Sequence, residues 1–497
     1  MDGMALVNDC NADPRIVCHA RPRRAHLVGI AGCGMRAMAD VLLGWGWQLS
    51  GSDWRIESLP SLAASGVSLF AGHNAQNLPA ETDLVIHSDA VPRNNPELLR
   101  AADLGIPTAS YFQTIGRWTN FFPTSAIAGT HGKSSVTAMA AHILVEAGLD
   151  PTVIYGATPL GKTSGGRAGQ SPQSPMLVEA CEYRANFLHL RPQKAVILGI
   201  EPDHFDCYDT LEAVEEAFAK LAVLVPRDGL MLARHDCPST RRATAGLQCR
   251  LETFGFACDA DWSAAHLKSH LGRYHFAVLH HNEQVCEVQL EVPGRHNVLN
   301  ALAAVALALH HGVEPERASH GLASFRGLER RLEASGTWRG IHRIDDYAHH
   351  PTEVHAALAA VREAYPQRRV VCVFQPHQVS RTTRLLDELA ESLQNADKVL
   401  VADIFRAREG SYRPGEITAA DLAARTKAGG VDVLPGHSPE EIVKTLETHL
   451  ASNDVLVILG AGDVCHWFRE GKMENLRCAD GSLRADLKAN TNKKEPT

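Results

Sequence analysis

Gly129-Thr130-His131-Gly132-Lys133-Ser134-Ser135 is the stretch on which the reading of this 497-residue chain turns. A short apolar run at 126–128 leads into it. Beyond it, Val136, Met139, Ala140, Ile143, Leu144 and Ala147 recur at the spacing of one helical face. Strand, glycine turn and helix in that order leave the N–H groups of the first helical turn free to meet an anion. Gly129 and Gly132 let the backbone wrap closely, Lys133 brings a positive charge to terminal phosphates, and the Ser134 hydroxyl can join a Mg²⁺ shell. Thr130, His131 and Ser135 complete the candidate nucleotide loop. The strict phosphate-loop pattern asks for a further glycine where Ile127 stands. The competing reading is a glycine turn that starts a helix, with Lys133 merely solvated.

Outward from this loop, three segments each alternate short β-rich runs with helical patterns, which predicts α/β architecture with mainly parallel sheets. The divisions fall at 1–118, 119–327 and 328–477, with a polar tail at 478–497. In the first segment, strands are predicted at 26–31 and 83–87, with a helix at 35–45 after Gly29, Gly32 and Gly34. The second has strands at 126–128, 176–180 and 195–200, a hairpin of 274–279 with 285–292, and a helix from 297 to 311 that stops at Gly312. The third has strands at 341–345, 369–374, 398–404 and 454–459, with a helix after Pro351, where a missing N–H costs nothing.

Composition narrows the function. Hydrophobic residues are 45% and charged residues 21%, a globular balance. Lys and Arg total 49 against 57 Asp and Glu, a net charge of −8, which speaks against general nucleic-acid binding. The 12 cysteines stand singly, with no C-x-x-C pair to signal zinc or redox chemistry, and a cytosolic location is expected. The first 25 residues hold several arginines and no apolar run, unlike a secretory signal, and no stretch has the length of a membrane span.

The chain resembles the Mur ligases, ATP-dependent enzymes of peptidoglycan precursor synthesis. The shortened loop Gly129–Ser134 is one carrier of the resemblance. Others are Glu179-Ala180-Cys181-Glu182-Tyr183, Glu201-Pro202-Asp203-His204 and Gly294-Arg295-His296-Asn297-Val298-Leu299-Asn300. Arg330-Arg331, the run from Asp345 through His349-His350-Pro351 to Glu353, and Phe374-Gln375-Pro376-His377 follow in family order. The resemblance implies a Rossmann-like nucleotide-sugar domain, a central phosphate-loop ATPase-like domain with a small β-hairpin subdomain, and a Rossmann-like C-terminal domain. It implies ATP and Mg²⁺ as cofactors and UDP-N-acetylmuramate and L-alanine as substrates, with recycled murein tripeptide as the alternative acceptor. No nucleic-acid, membrane or protein partner is implied.

The implied reaction phosphorylates the muramyl carboxylate with ATP, and the amine then displaces phosphate from the acyl phosphate. Both steps move negative charge, so positioning and electrostatics should dominate. On the resemblance, Lys133, His204 and Arg331 serve catalysis. Ser134, Glu179 and His204 hold metal. Asn297, Asn300, Asp346 and His349 join the loop around the nucleotide, and Gly29, Gly32, Gly34 and Asp53 take the UDP-sugar. For Asn297 helix capping is the alternative, for Asp53 a turn residue, and for Arg331 the neighbour Arg330. Family members usually carry glycine where Ala31 stands, Ser-Gly where Arg36-Ala37 stand, and aspartate where Cys181 stands between Glu179 and Glu182. A nicotinamide-dependent oxidoreductase using the first glycines leaves the second-segment loop without a purpose. A non-catalytic nucleotide-binding protein leaves the intact Lys133, Ser134, Glu179 and His204 set unexplained.

Overall fold

Short apolar runs closed by glycine become the parallel strands. The computed structural model describes residues 13–15, 22–171, 173–338 and 340–469. Its first sheet contains β1 (Arg24–Val28), β2 (Gln48–Asp53), β3 (Ser68–Ala71), β4 (Leu84–His87) and β5 (Thr108–Ser110). The pairings are parallel and the order is β3-β2-β1-β4-β5. The chain thus leaves β1 toward one edge and later returns to its other side, a topological switch point of the kind that holds ligands. β1 stops short of its apolar run because Gly29 takes φ +82°, and the turn leads into the helix Cys33–Gly44.

The second sheet contains β6 (Thr124–Ala128), β7 (Thr152–Tyr155), β8 (Gly165–Arg167), β9 (Met176–Glu179), β10 (Lys194–Ile197), β11 (Leu230–Arg234), β12 (Arg250–Gly255), β13 (Trp262–His270), β14 (Arg273–His280) and β15 (Glu283–Gln289). Its order is β15-β14-β13-β12-β11-β10-β6-β9-β7-β8. β6 lies between β9 and β10 and is parallel to both. The C-terminal ends of these three strands therefore meet at a second switch point. The expected hairpin forms as β14 and β15, antiparallel with an irregularity between Val278 and Leu279, and it extends the edge of this sheet.

The helix after the loop, Lys133–Glu146, is buried on more than the single face its spacing predicts: Thr137, Ala138 and Ala141 are also covered. It packs on β6, β7 and β9 and against the helices Arg295–Leu309 and Pro315–Ser324, which themselves contact other strands of the same sheet. Alanine on the facing helices permits that approach, and Asn297 through Ala308 are buried without a break. The helix Arg295–Leu309 is preceded by Gly294 as its N-cap, so Asn297 does not cap it.

By contacts the chain forms two compact units: residues up to 269 with 273–329, and 270–272 with residues from 330 on. Within the first unit both sheets share one core. Trp45 sits edge-on to Trp118 at 4.9 Å and stacks on Phe122 at 5.5 Å, and Leu27 and Met38 belong to the same cluster as Ala126, Phe187 and Phe218. The second unit carries β16 (Glu333–Trp338), β17 (Ile341–Asp346), β18 (Arg369–Phe374), β19 (Lys398–Val401), β20 (Asp432–Val433) and β21 (Asp454–Leu459) in the order β16-β17-β21-β18-β19-β20. Along β18, Val370, Cys372 and Phe374 enter one core and Val371 and Val373 the other, the alternation of a strand covered on both faces. The expected tail at 478–497 and most of the arginine-bearing start lie outside the described residues.

Candidate active site

The turn after β6 is forced by glycine. Gly132 takes φ +81°, and a Cβ there would come within 2.6 Å of Asn300 Oδ1. A Cβ on Gly129, at φ +139°, would meet Leu198 Cβ at 2.9 Å. Thr130 N donates to Gly199 O at 2.9 Å, and Thr130 Oγ1 accepts from Glu201 N at 2.9 Å, which ties the loop to the exit of β10. His131 Nε2 lies 3.4 Å from Glu201 Oε2. The helix that follows has no side-chain cap, so its first N–H groups suit an anion. Ser135 lies on its first turn.

Three side chains then converge. Lys133 Nζ donates to Gly129 O (2.6 Å), Thr130 O (3.0 Å) and Glu182 Oε1 (2.9 Å). His204 Nε2 lies 3.4 Å from the same Glu182 oxygen. Burial disfavours the ammonium, but the Glu182 carboxylate outweighs it and holds Lys133 up at about 12. For Glu182, burial pushes upward while Lys133 and then His204 hold the carboxyl below its ordinary range. Cys181, between the two glutamates, is pushed up to about 12 by burial and by Glu182, so it stays a thiol. His204 has φ +53°, a strained backbone for a non-glycine residue. Glu182 is the residue whose importance the sequence understated. It stands three positions beyond the strand-end Glu179, inside a run that carries the family resemblance, yet no role is assigned to it there.

Ser134 Oγ donates to Glu179 Oε1 at 2.9 Å, and Glu179 Oε2 accepts from Gly156 N at 2.8 Å. A hydroxyl and a carboxylate side by side are the hard oxygen donors magnesium prefers. His204 Nδ1 and Glu182 Oε2 are buried and have no hydrogen-bond partner among the described residues. Such atoms are costly unless something meets them. The donor set therefore fits a divalent cation beside a phosphate.

Asn300 Nδ2 donates to Asn297 Oδ1 at 3.0 Å and Asn297 Nδ2 to Pro293 O at 2.7 Å, so the two amides form a chain that ends against Gly132. In the first sheet, Gly32 N donates to Gly29 O at 3.2 Å, closing the turn. A Cβ on Gly34 would meet the Tyr111 ring at 3.0 Å. Burial, then Glu179 and Cys181, push the Tyr111 phenol upward, which keeps it protonated near both glycine turns. Asp53 serves its turn: Oδ2 accepts from Ala31 N at 3.0 Å and Oδ1 from Arg55 N at 3.1 Å. Arg36 has turned to Cys33, with Nη2 3.4 Å from Sγ.

The second unit holds the remaining candidates. Arg330 is engaged: its Nη2 donates to Gly462 O at 3.3 Å and its Nε lies 3.8 Å from Asp345. Arg331 overlies the Tyr347 ring at 5.1 Å and lies close enough to Asp346 to pull its carboxyl downward against burial, and a guanidinium of this kind suits a phosphate. Asp346 accepts from Leu332 N and Ala348 N, each at 2.7 Å, and burial raises its carboxyl to about 6. His349 Nδ1 lies 3.0 Å from Tyr347 O and 3.2 Å from Glu353.

Two mainly parallel sheets, each with a glycine turn at its switch point, and a part-buried lysine beside paired carboxylates define a phosphate-loop enzyme of nucleotide-dependent chemistry. The chain belongs to the Mur ligase family. Residues 24–123 match the family's catalytic domain, 127–308 its middle domain and 330–462 its glutamate ligase domain. It is 39% identical to the UDP-N-acetylmuramate–L-alanine ligase of Clostridium novyi, over 91% of this chain and 97% of that one. It is 38% identical to the ligase of the same name from Chlorobium phaeovibrioides, over 92% and 99%. Among solved structures, the UDP-N-acetylmuramate-alanine ligase of Thermotoga maritima matches with TM-score 0.73 at 27% identity, over 89% and 97%. A murein peptide ligase from Psychrobacter arcticus matches with TM-score 0.69 at 25% identity, over 93% and 100%.

Proposed function

We propose that this chain joins L-alanine to the carboxylate of UDP-N-acetylmuramate, consuming ATP and releasing ADP and phosphate. The relatives named for that reaction support it, and the observation that carries it is the Lys133–Glu182–His204 cluster under the phosphate loop. Ser134 and Glu179 would hold magnesium, with His204 toward a second ion; the metal supplies charge neutralisation at the phosphates when bound. Lys133, kept charged by Glu182, meets negative charge at the loop. His204 turns its Nε2 toward Glu182 in the same cluster and keeps an unmatched Nδ1 among the described residues, and Arg331 rather than Arg330 is the guanidinium for phosphate. The loop N–H groups with Asn297 and Asn300 bind nucleotide, and Asp346 and His349 are its candidates in the second unit. The glycine turn after β1 takes the UDP diphosphate, and Asp53 acts by holding that turn.

Phosphorylation converts the carboxylate into an acyl donor, so water must be kept out until the amine arrives. The nine cysteines of the described residues are free thiols, which supports the cytoplasm as the enzyme's place. We keep the divisions at 118/119 and 327/328 as the functional domains. The test is phosphate release across a panel of acceptors. Turnover requiring both UDP-N-acetylmuramate and L-alanine is the expected outcome. Turnover with murein tripeptide and none with alanine would transfer the reading to the recycling reaction.

A further inference from the structure

Trp54 leaves 74% of its surface in water, an unusual placement for the largest apolar side chain. It follows Asp53 at the C-terminal end of β2, beside the glycine turn of β1. In doubly wound sheets a nucleoside lies at that strand end and is met there by an acidic residue. Here the acid is already committed, since both Asp53 oxygens accept backbone N–H groups, from Ala31 and Arg55. What the strand end presents outward is the indole.

The ring is held from below. His73 meets it edge-on, with centroids 5.7 Å apart and planes at 90°. Gly72, at φ +70°, passes so close that a Cβ there would come within 3.1 Å of indole Cζ3. His73 Nδ1 in turn lies 3.1 Å from Ser52 Oγ and 3.3 Å from Glu97 Oε2. Glu97, fully buried, also accepts from Ser52 Oγ at 2.6 Å and from Asn77 Nδ2 at 2.9 Å. A buried hydrogen-bonded network thus orients a ring that contributes little burial of its own. A pre-oriented, exposed aromatic surface beside a diphosphate-binding turn is what a planar base requires.

We propose that Trp54 is the stacking platform for the base of the nucleoside-diphosphate sugar. The assignment rests on the functional reading above and adds the residue that recognises the nucleoside. Stacking a base on an aromatic side chain corresponds to an affinity change of about 5- to 150-fold.

The experiment compares the full-length wild type with Trp54→Ala and Trp54→Phe. UMP and ribose 5-phosphate serve as binding probes, and KM and kcat are measured with UDP-N-acetylmuramate. In Trp54→Ala we expect UMP binding and the sugar-nucleotide KM to weaken at least about fivefold. Ribose 5-phosphate binding, kcat and the KM for ATP should stay within twofold, and Trp54→Phe should restore most of the loss. Unchanged UMP binding, or equal weakening of ribose 5-phosphate, would overturn the platform. Absence of any turnover by wild type would refute the functional reading instead, while the UMP titration still decides the role of Trp54.

Discussion

After β1 and after β6 the chain makes the same local move. A parallel strand ends at a switch point, a glycine takes positive φ (+82° at Gly29, +81° at Gly132), and a helix begins without a side-chain cap. The surroundings differ. Beside the first turn the buried carboxylate is Glu97, in the first turn of the helix Pro96–Asp103 and used to orient His73 and Ser52. Beneath the second, the buried carboxylate is Glu182, which sits directly against Lys133 and His204. Backbone N–H groups suffice to hold a diphosphate. Moving a phosphoryl group needs charges that are already in place before the reaction starts. On the proposed function, the contrast separates a turn that binds from a turn that reacts.

The largest test of that contrast removes the reacting charge. Lys133→Ala should lower phosphate release about 10³-fold, while titration with UDP shows affinity within twofold of wild type. Because the substitution strands Glu182 as a buried unpaired charge, the double variant Lys133→Ala with Glu182→Gln controls for stability. It should recover folding without recovering turnover. Equal loss of UDP binding would erase the distinction between the turns.

Next comes the structural use of Glu97. Against the upward push of burial, the His26 imidazole 3.8 Å away and the hydrogen bonds from Ser52 and Asn77 hold its carboxyl down at about 2. The unfolded chain takes up that proton near the ordinary value, whereas the folded chain refuses it until about 2. Its stabilisation is therefore complete above about pH 5 and is lost as pH falls through that window, on the order of 3 kcal/mol. Denaturation of wild type and Glu97→Gln should show a wide gap at pH 7 that closes toward pH 2. A gap independent of pH would mean that the Glu97 charge is not what holds the network.

The smallest effects come from adding one methyl group to each turn. Gly132→Ala faces both a positive φ and Asn300 Oδ1, and should cost about 1–3 kcal/mol in ATP binding with UDP binding unchanged. Gly34→Ala meets the Tyr111 ring, which has to give by a few tenths of an ångström. Its expected effect is a rise of about threefold in the KM for the sugar nucleotide, under 1 kcal/mol, with the ATP KM unmoved. Steady-state kinetics with each substrate varied separately reads both.

Local periodicity made much of this legible. The strand–glycine–helix order at 126–147 and the strand-end position of Glu179 are each encoded by immediately neighbouring residues. The strand predicted at 369–374 has the bounds the structure shows. What escaped was non-local. Lys133 and Glu182 are far apart in sequence, and no spacing rule pairs them. Asn300 against Gly132, and Trp118 against Trp45, depend on how helices pack rather than on any motif. Asp53 was readable as a turn residue or a ligand, and its bonds to Ala31 and Arg55 support the turn reading. The helices 133–146 and 295–309 hid their burial because alanine gives no strong apolar stripe when neighbours cover both sides.

The central claim is that the loop's nucleotide activates the sugar's carboxylate before the amine attacks. Turnover with UDP-N-acetylmuramate carrying ¹⁸O at both oxygens of its lactyl carboxylate tests it most directly, read by mass spectrometry of the released phosphate. One ¹⁸O in each phosphate is the expected result, because the carboxylate oxygen leaves with the phosphoryl group. Phosphate free of label, with alanine nevertheless joined to the sugar, would contradict it.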